Sequence, residues 1–143
     1  MKLLATDMDG TFLRDDKSYS EEFNDLYNQM LKQGIQFVIA SGNQYEALVC
    51  KFDDDIKDDL YYLCENGTKI VYQGKTLYKK ALKKDDVKEV LDILKQDQEC
   101  MLVVSGDKHA YISKSFEDKK DFISLFMKNV QFVESYDDIE DDI

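Results

Sequence analysis

Two carboxylates flank a single residue near the start of the chain, in Asp7-Met8-Asp9-Gly10-Thr11, directly after the short apolar run Lys2 to Thr6. Such a run, broken by a polar turn, reads as a buried strand. In an open parallel sheet the ligand crevice lies at the carboxyl ends of the strands. Gly10 lets the turn aim both side chains at one small volume while leaving main chain open to an anion. Carboxylates so close repel unless a cation or a shared proton offsets them, and that is how their roles divide: one stays ionised, the other carries a proton. Acidic residues also simply cap turns after strands, and a lone D-x-D supports no more than that.

A second candidate is Ser41-Gly42-Asn43, at the end of the β-rich run Ile35 to Ala40. A serine hydroxyl and the Gly42 N–H can hold phosphate oxygens, although Ser-Gly alone is equally a turn or a helix cap. Glu65-Asn66-Gly67-Thr68 follows a third run, Leu60 to Cys64, and a plain Asn-Gly turn accounts for it. His109 sits between two short apolar runs with no partner identifiable from sequence, which favours a solvated or packing role.

The elements that must position these residues follow from periodicity. Ser18-Tyr19-Ser20-Glu21 reads as a capping box before Phe23, Leu26, Tyr27, Met30 and Leu31, which recur at helical spacing until Gly34. A helix is expected from Gln44 to about Phe52, and Lys69 to Tyr72 with Lys75 to Tyr78 form a hairpin around Gln73-Gly74. Strand, helix, strand, helix implies a parallel sheet. From Lys84 the pattern changes. Val87, Val90, Leu91 and Leu94 make a helical stripe, Met101 to Ser105 and Ala110 to Ile112 flank Gly106-Asp107 as an antiparallel pair, and a helix over 115–129 precedes a strand at Val130 to Val133. The Asp137 to Asp142 tail reads as a solvated or mobile end.

Composition sets the limits. The 143 residues carry a net charge of −11 with no basic stripe, which argues against nucleic acid as a partner. An acidic surface repels anionic metabolites, so a phosphate site needs a local cation or oriented N–H groups. No run approaches a membrane span, and Met1 leads into Lys2-Leu3-Leu4 without the apolar stretch of a signal peptide. Cys50, Cys64 and Cys100 are odd in number and lie in or beside apolar runs, as buried thiols in a reducing, cytoplasmic compartment would.

Taken whole, Leu3-Leu4-Ala5-Thr6-Asp7-Met8-Asp9-Gly10-Thr11-Phe12-Leu13 resembles the first motif of the haloacid dehalogenase (HAD) superfamily, and Val38-Ile39-Ala40-Ser41-Gly42-Asn43 looks like its second. Glu65 to Thr68 is similar to the segment after the third core strand of Cof-like phosphatases, the subfamily most resembled. Asn43 departs from the arginine that commonly follows Ser-Gly there. The resemblance implies an α/β fold: a Rossmann-like core, a partial parallel sheet with helices over residues 1–80, followed by the start of an α+β cap over 81–143. It implies Asp7 as nucleophile and Asp9 as general acid and base, with Met8, Thr11, Ser41 and Gly42 around the phosphate. Mg²⁺ is implied on the Asp7 carboxylate and the Asp9 carbonyl, and a small phosphorylated metabolite such as a sugar phosphate as substrate, hydrolysed through an aspartyl-phosphate.

Two later family motifs, a phosphate-steadying lysine and a G-D-x-x-N-D-like acidic segment, have no match in residues 79–143. An incomplete enzyme is therefore expected, with the first strand showing a free edge and apolar faces that favour self-association. A non-catalytic remnant that binds metal or phosphate, or only mediates association, stands as the alternative. A receiver module, also phosphorylated on aspartate, would carry its acceptor after the third strand, where this chain has Leu63-Cys64-Glu65.

Overall fold

The computed structural model describes residues 2–94 and 100–143; Met1, and with it the reading of the amino terminus, lies outside them. These residues divide into two compact units, 1–80 and 81–143.

In the first unit β1 (Lys2–Asp7), α1 (Phe23–Lys32), β2 (Ile35–Ala40), α2 (Tyr45–Val49) and β3 (Tyr61–Cys64) alternate along the chain, and β4 (Lys69–Tyr72) and β5 (Lys75–Lys79) follow as a hairpin. The sheet runs β1-β2-β3-β4-β5. Its first three strands are parallel and the last two antiparallel, so this is the α/β architecture expected. The hairpin turns on Gln73 and Gly74, both at positive φ (51° and 68°), as a two-residue loop between twisted strands requires.

α1 forms because Phe23, Tyr27 and Met30, three and four residues apart, share one face and bury it against Phe37 and Ile39 of β2 and against Phe52, Leu60 and Tyr62. Leu26, read into the same stripe, is instead exposed. Gly34 ends the helix at φ 71°, donating its N–H to the Leu31 carbonyl. The expected capping box does not form. The Asp16 carboxylate takes both the N–H and the hydroxyl of Ser18, at 2.9 and 2.6 Å, and Glu22 stands before the helix with no side-chain cap. α2 stops at Val49, short of the expected Phe52.

β1 corrects the reading of a buried strand. Among the described residues it is an edge strand paired only with β2, and its successive residues Leu3 and Leu4 are 63% and 44% exposed, so both faces are open. The free edge and open apolar faces are those that the incomplete-sheet expectation described.

The second unit contains α3 (Lys84–Leu94), β6 (Val103–Ser105), β7 (Ala110–Ser113), α4 (Lys120–Ser124) and β8 (Val130–Val133). β6 and β7 are antiparallel across Gly106-Asp107, and β7 and β8 are parallel. Of the α3 stripe only Leu91 is buried. In place of one helix over 115–129 there is a 3-10 turn, Lys114–Lys119, and then the single turn of α4; Ile123 is its one buried residue while Phe122, Leu125 and Phe126 face solvent. One buried position gives too little packing to extend a helix. The acidic tail is not a free end: Asp141 Oδ2 accepts from the Lys108 N–H (2.8 Å) and the Tyr111 hydroxyl (3.1 Å), and the Asp107 N–H donates to the Asp142 carbonyl. Of the three cysteines Cys64 is buried, whereas Cys50 and Cys100 are exposed, contrary to the sequence reading.

Candidate active site at the carboxyl ends of β1 and β2

The parallel register pairs Asp7 with Ala40, so the turn after Asp7 and the Ser41-Gly42-Asn43 segment leave the sheet side by side. The first turn is wound around Met8. Its side chain is fully buried, and its carbonyl accepts from the N–H groups of Thr11, Phe12 and Leu13 at 3.4, 3.1 and 2.8 Å. The Asp7 carbonyl accepts from the Phe12 N–H and the Thr6 hydroxyl. With Met8 and Leu13 drawn into the core, Asp9, Gly10 and Thr11 are pushed outward. Gly10 takes φ 74° with open space around its Cα, so conformation rather than crowding calls for glycine there. Any part Met8 takes in anion binding is through its main chain.

The Asp7 side chain is exposed and makes no hydrogen bond or ion pair among the described residues. Asp9 differs. Lys17 Nζ donates to its Oδ1 at 2.9 Å, and Asn43 Nδ2 approaches Oδ2 at 3.5 Å. The Lys17 hydrogen bond, helped by its charge and opposed by partial desolvation, holds the Asp9 carboxyl below its ordinary value. The two carboxylates of the D-x-D are therefore distinguished by environment: one open, one clamped.

Ser41 Oγ accepts from the Asn43 N–H at 3.2 Å, which leaves the hydroxyl proton available to a ligand. The segment is held from the other side by residues 65–66. Glu65 N–H donates to the Asn43 carbonyl and Asn66 N–H to the Ser41 carbonyl, each at 3.2 Å, with Glu65 and Asn66 both in the left-handed region (φ 53° and 57°). A Cβ on Gly42 would lie 3.1 Å from Asn66 Oδ1, so glycine permits this close approach. Glu65-Asn66-Gly67 is thus more than a hairpin turn, since it shapes the Ser41–Asn43 loop. Sequence reasoning left Asn43 without a role and missed Lys17, which no motif marks.

Two carboxylates on an exposed turn, beside main-chain oxygens, are hard donors of the kind Mg²⁺ accepts, with water and substrate oxygens completing the shell. The Lys17 ammonium already places positive charge against one of them. The residues present fit that ion, although among the described residues no group of three or more His, Cys, Asp or Glu side chains gathers. His109 lies in the second unit with its ring edge-on to Tyr111, as a packing residue would.

Residues 4–143 match the family model of haloacid dehalogenase-like hydrolases, and the chain belongs to that family. It is 38% identical over 143 residues to the 5-amino-6-(5-phospho-D-ribitylamino)uracil phosphatase YbjI of Escherichia coli K12, covering 99% of this chain and 52% of that protein. The crystal structure of SMU.1108c from Streptococcus mutans UA159 superposes with a TM-score of 0.88 at 28% identity, over 99% of this chain and 54% of that one. The HAD subclass IIB sugar phosphatase BT4131 shares the fold, with a TM-score of 0.70 at 16% identity over 92% of this chain and 53% of its own. The chain therefore spans about half the length of the relatives it matches.

Proposed function

We propose that the chain contributes the nucleophile-bearing half of a Mg²⁺-dependent phosphatase of small phosphorylated metabolites, with residues 1–80 as half of the catalytic core and 81–143 as the start of a cap. The observation that carries this reading is the register that sets the Asp7 turn beside Ser41-Gly42 at the carboxyl ends of two parallel strands. The names of YbjI and BT4131, a ribitylaminouracil phosphatase and a sugar phosphatase, support the substrate class.

In this reading an Asp7 carboxylate oxygen attacks phosphorus in line and the bond to the ester oxygen breaks, with Asp9, which must carry a proton for this step against the Lys17 ion pair that favours its ionised form, delivering that proton to the departing alcohol. Asp9 then takes a proton from water, which attacks the aspartyl-phosphate and releases inorganic phosphate, restoring the Asp7 carboxylate and the proton on Asp9. The Ser41 hydroxyl and the N–H groups near Gly42, Met8 and Thr11 hold the phosphoryl oxygens. Mg²⁺, when bound by the Asp7 carboxylate and the Asp9 carbonyl, supplies positive charge to a group that the acidic chain would otherwise repel. The buried Cys64 thiol accords with a reducing, cytoplasmic setting.

The second reading, a non-catalytic module that binds metal or phosphate or associates through β1, is favoured by the open β1 edge. Hydrolysis of an aryl phosphate by the purified chain, with and without Mg²⁺ and beside Asp7→Asn, separates the two. Mg²⁺-dependent turnover abolished by Asp7→Asn is expected for the phosphatase. No turnover from a folded sample sinks it for this chain and leaves the module.

A further inference from the structure

Beyond the D-x-D carboxylates, the loop 14–18 carries an arrangement that the proposed chemistry does not use. Its other charged groups with partners are committed within the loop or to its immediate neighbour. Arg14 Nη1 donates to the Tyr19 carbonyl at 3.1 Å and to Ser18 Oγ at 3.4 Å, and Asp16 is taken up by Ser18. Main-chain bonds from Arg14 N–H to the Ser18 carbonyl (2.8 Å) and from Lys17 N–H to the Arg14 carbonyl (2.9 Å) close the loop into a tight turn. Within it Lys17 occupies φ 66°, a left-handed conformation that is unfavourable for a lysine and that turns normally give to glycine or asparagine. The lysine at this position is the one that reaches back eight residues, to Asp9 Oδ1. The pair is open to water, with side chains 62% and 53% exposed, and such pairs hold weakly enough to be exchanged.

We propose that Lys17 is a tethered counter-cation of the Asp7–Asp9 turn: its ammonium neutralises Asp9 while the site is unloaded and competes with a divalent cation for the negative charge of the turn. Resting on the phosphatase reading for the location of the cation, the proposal adds a residue to that site. Lys17 is a positioning residue, acting through Asp9, with Asn43 as the weaker second donor on the other carboxylate oxygen. The physical reason is direct. Two like charges flanking one residue need an offset at all times, and a flexible four-carbon stem supplies one that a harder, doubly charged ion can displace. The tether also keeps the Asp9 carboxylate aimed before a ligand arrives.

The test is Mg²⁺ affinity, read by calorimetry and by shifts of the Asp7–Thr11 amide resonances, for the wild-type chain, Lys17→Met, Lys17→Arg, Asp7→Asn, Asp9→Asn and the double variant Lys17→Met/Asp9→Asn. Lys17 lies on an exposed loop, and the amide spectrum reports whether each variant is folded. Lys17→Met is expected to tighten Mg²⁺ binding roughly three- to ten-fold at low ionic strength, less in 0.5 M salt. Lys17→Arg restores wild-type affinity, and the gain vanishes in the Asp9→Asn background. Binding lost in Asp7→Asn but indifferent to Lys17→Met overturns the Lys17 proposal and leaves the metal reading standing. Binding indifferent to Asp7→Asn, or none in any variant, overturns both.

Discussion

Phe12→Ala tests whether the site is held by the aromatic cluster beneath it. Phe12 follows Thr11 directly, and its ring meets Tyr19, Phe23, Phe37 and Phe52 at centroid distances of 5.6, 4.7, 5.5 and 6.0 Å. Aromatic pairs contribute about 0.5–1.5 kcal/mol each beyond their buried area, and removing a fully buried phenylalanine costs about 3–5 kcal/mol. Phe12 is only half-buried, so the loss should sit near the lower bound, about 3 kcal/mol, a large share of a domain stability of about 5–15 kcal/mol. Phe12→Leu keeps apolar bulk and loses the rings, and should cost about 1–2 kcal/mol. Urea titration followed by far-ultraviolet dichroism and by tyrosine emission, in a chain with nine Tyr and no Trp, reads the loss. Amide exchange locates it: the Leu13 N–H, bonded to the Met8 carbonyl at 2.8 Å, should lose more protection than amides of β3. A cost below about 1 kcal/mol for the alanine variant, or unchanged Leu13 protection, would refute the claim that the cluster pins the turn.

Two further outcomes follow from burial. Burial pushes the Cys64 thiol up to about 12, so at pH 8 its thiolate is scarce and iodoacetamide should modify the exposed Cys50 and Cys100 while sparing Cys64 until the chain unfolds; equal labelling of all three in the native state would contradict the core placement. The open β1 edge, with Leu3 and Leu4 exposed, should drive concentration-dependent association in sedimentation velocity, and Leu3→Lys with Leu4→Glu should shift it toward monomer with the dichroism unchanged; a wild-type chain monomeric up to about millimolar concentration excludes it.

Periodicity located the first unit well because its strands and α1 are bounded by local chemistry: Gly34 at the end of α1, Gln73-Gly74 in the hairpin, the β-rich run of β2. It misjudged burial at β1, where the same apolar residues lie at an edge, since periodicity reports which face a residue takes and not whether anything covers it. The same gap explains α3 and the region 115–129, whose apolar residues are largely exposed. Aspartates that look like a solvated tail proved otherwise because Asp141 finds donors from Lys108 and Tyr111, more than 29 residues away in sequence at 33 and 30 positions.

The site itself was half legible, and the division has a physical cause. Asp7, Asp9, Ser41 and Gly42 stand in short contiguous strings at strand ends, where a single element fixes both identity and direction. Lys17, Asn43 and Asn66 owe their places to pairings across loops: a left-handed lysine reaching back to Asp9, an amide facing the same carboxylate, and a side chain packed against the Cα of Gly42. None of these follows from type or spacing. Yet they make the two carboxylates unlike, by leaving Asp7 open and drawing Asp9 into a clamp. A nucleophile must be free to approach phosphorus, and a proton carrier must be aimed at the leaving oxygen. The loops therefore give the two carboxylates different surroundings that the motif alone does not provide, and residues outside the motif deserve the first substitutions.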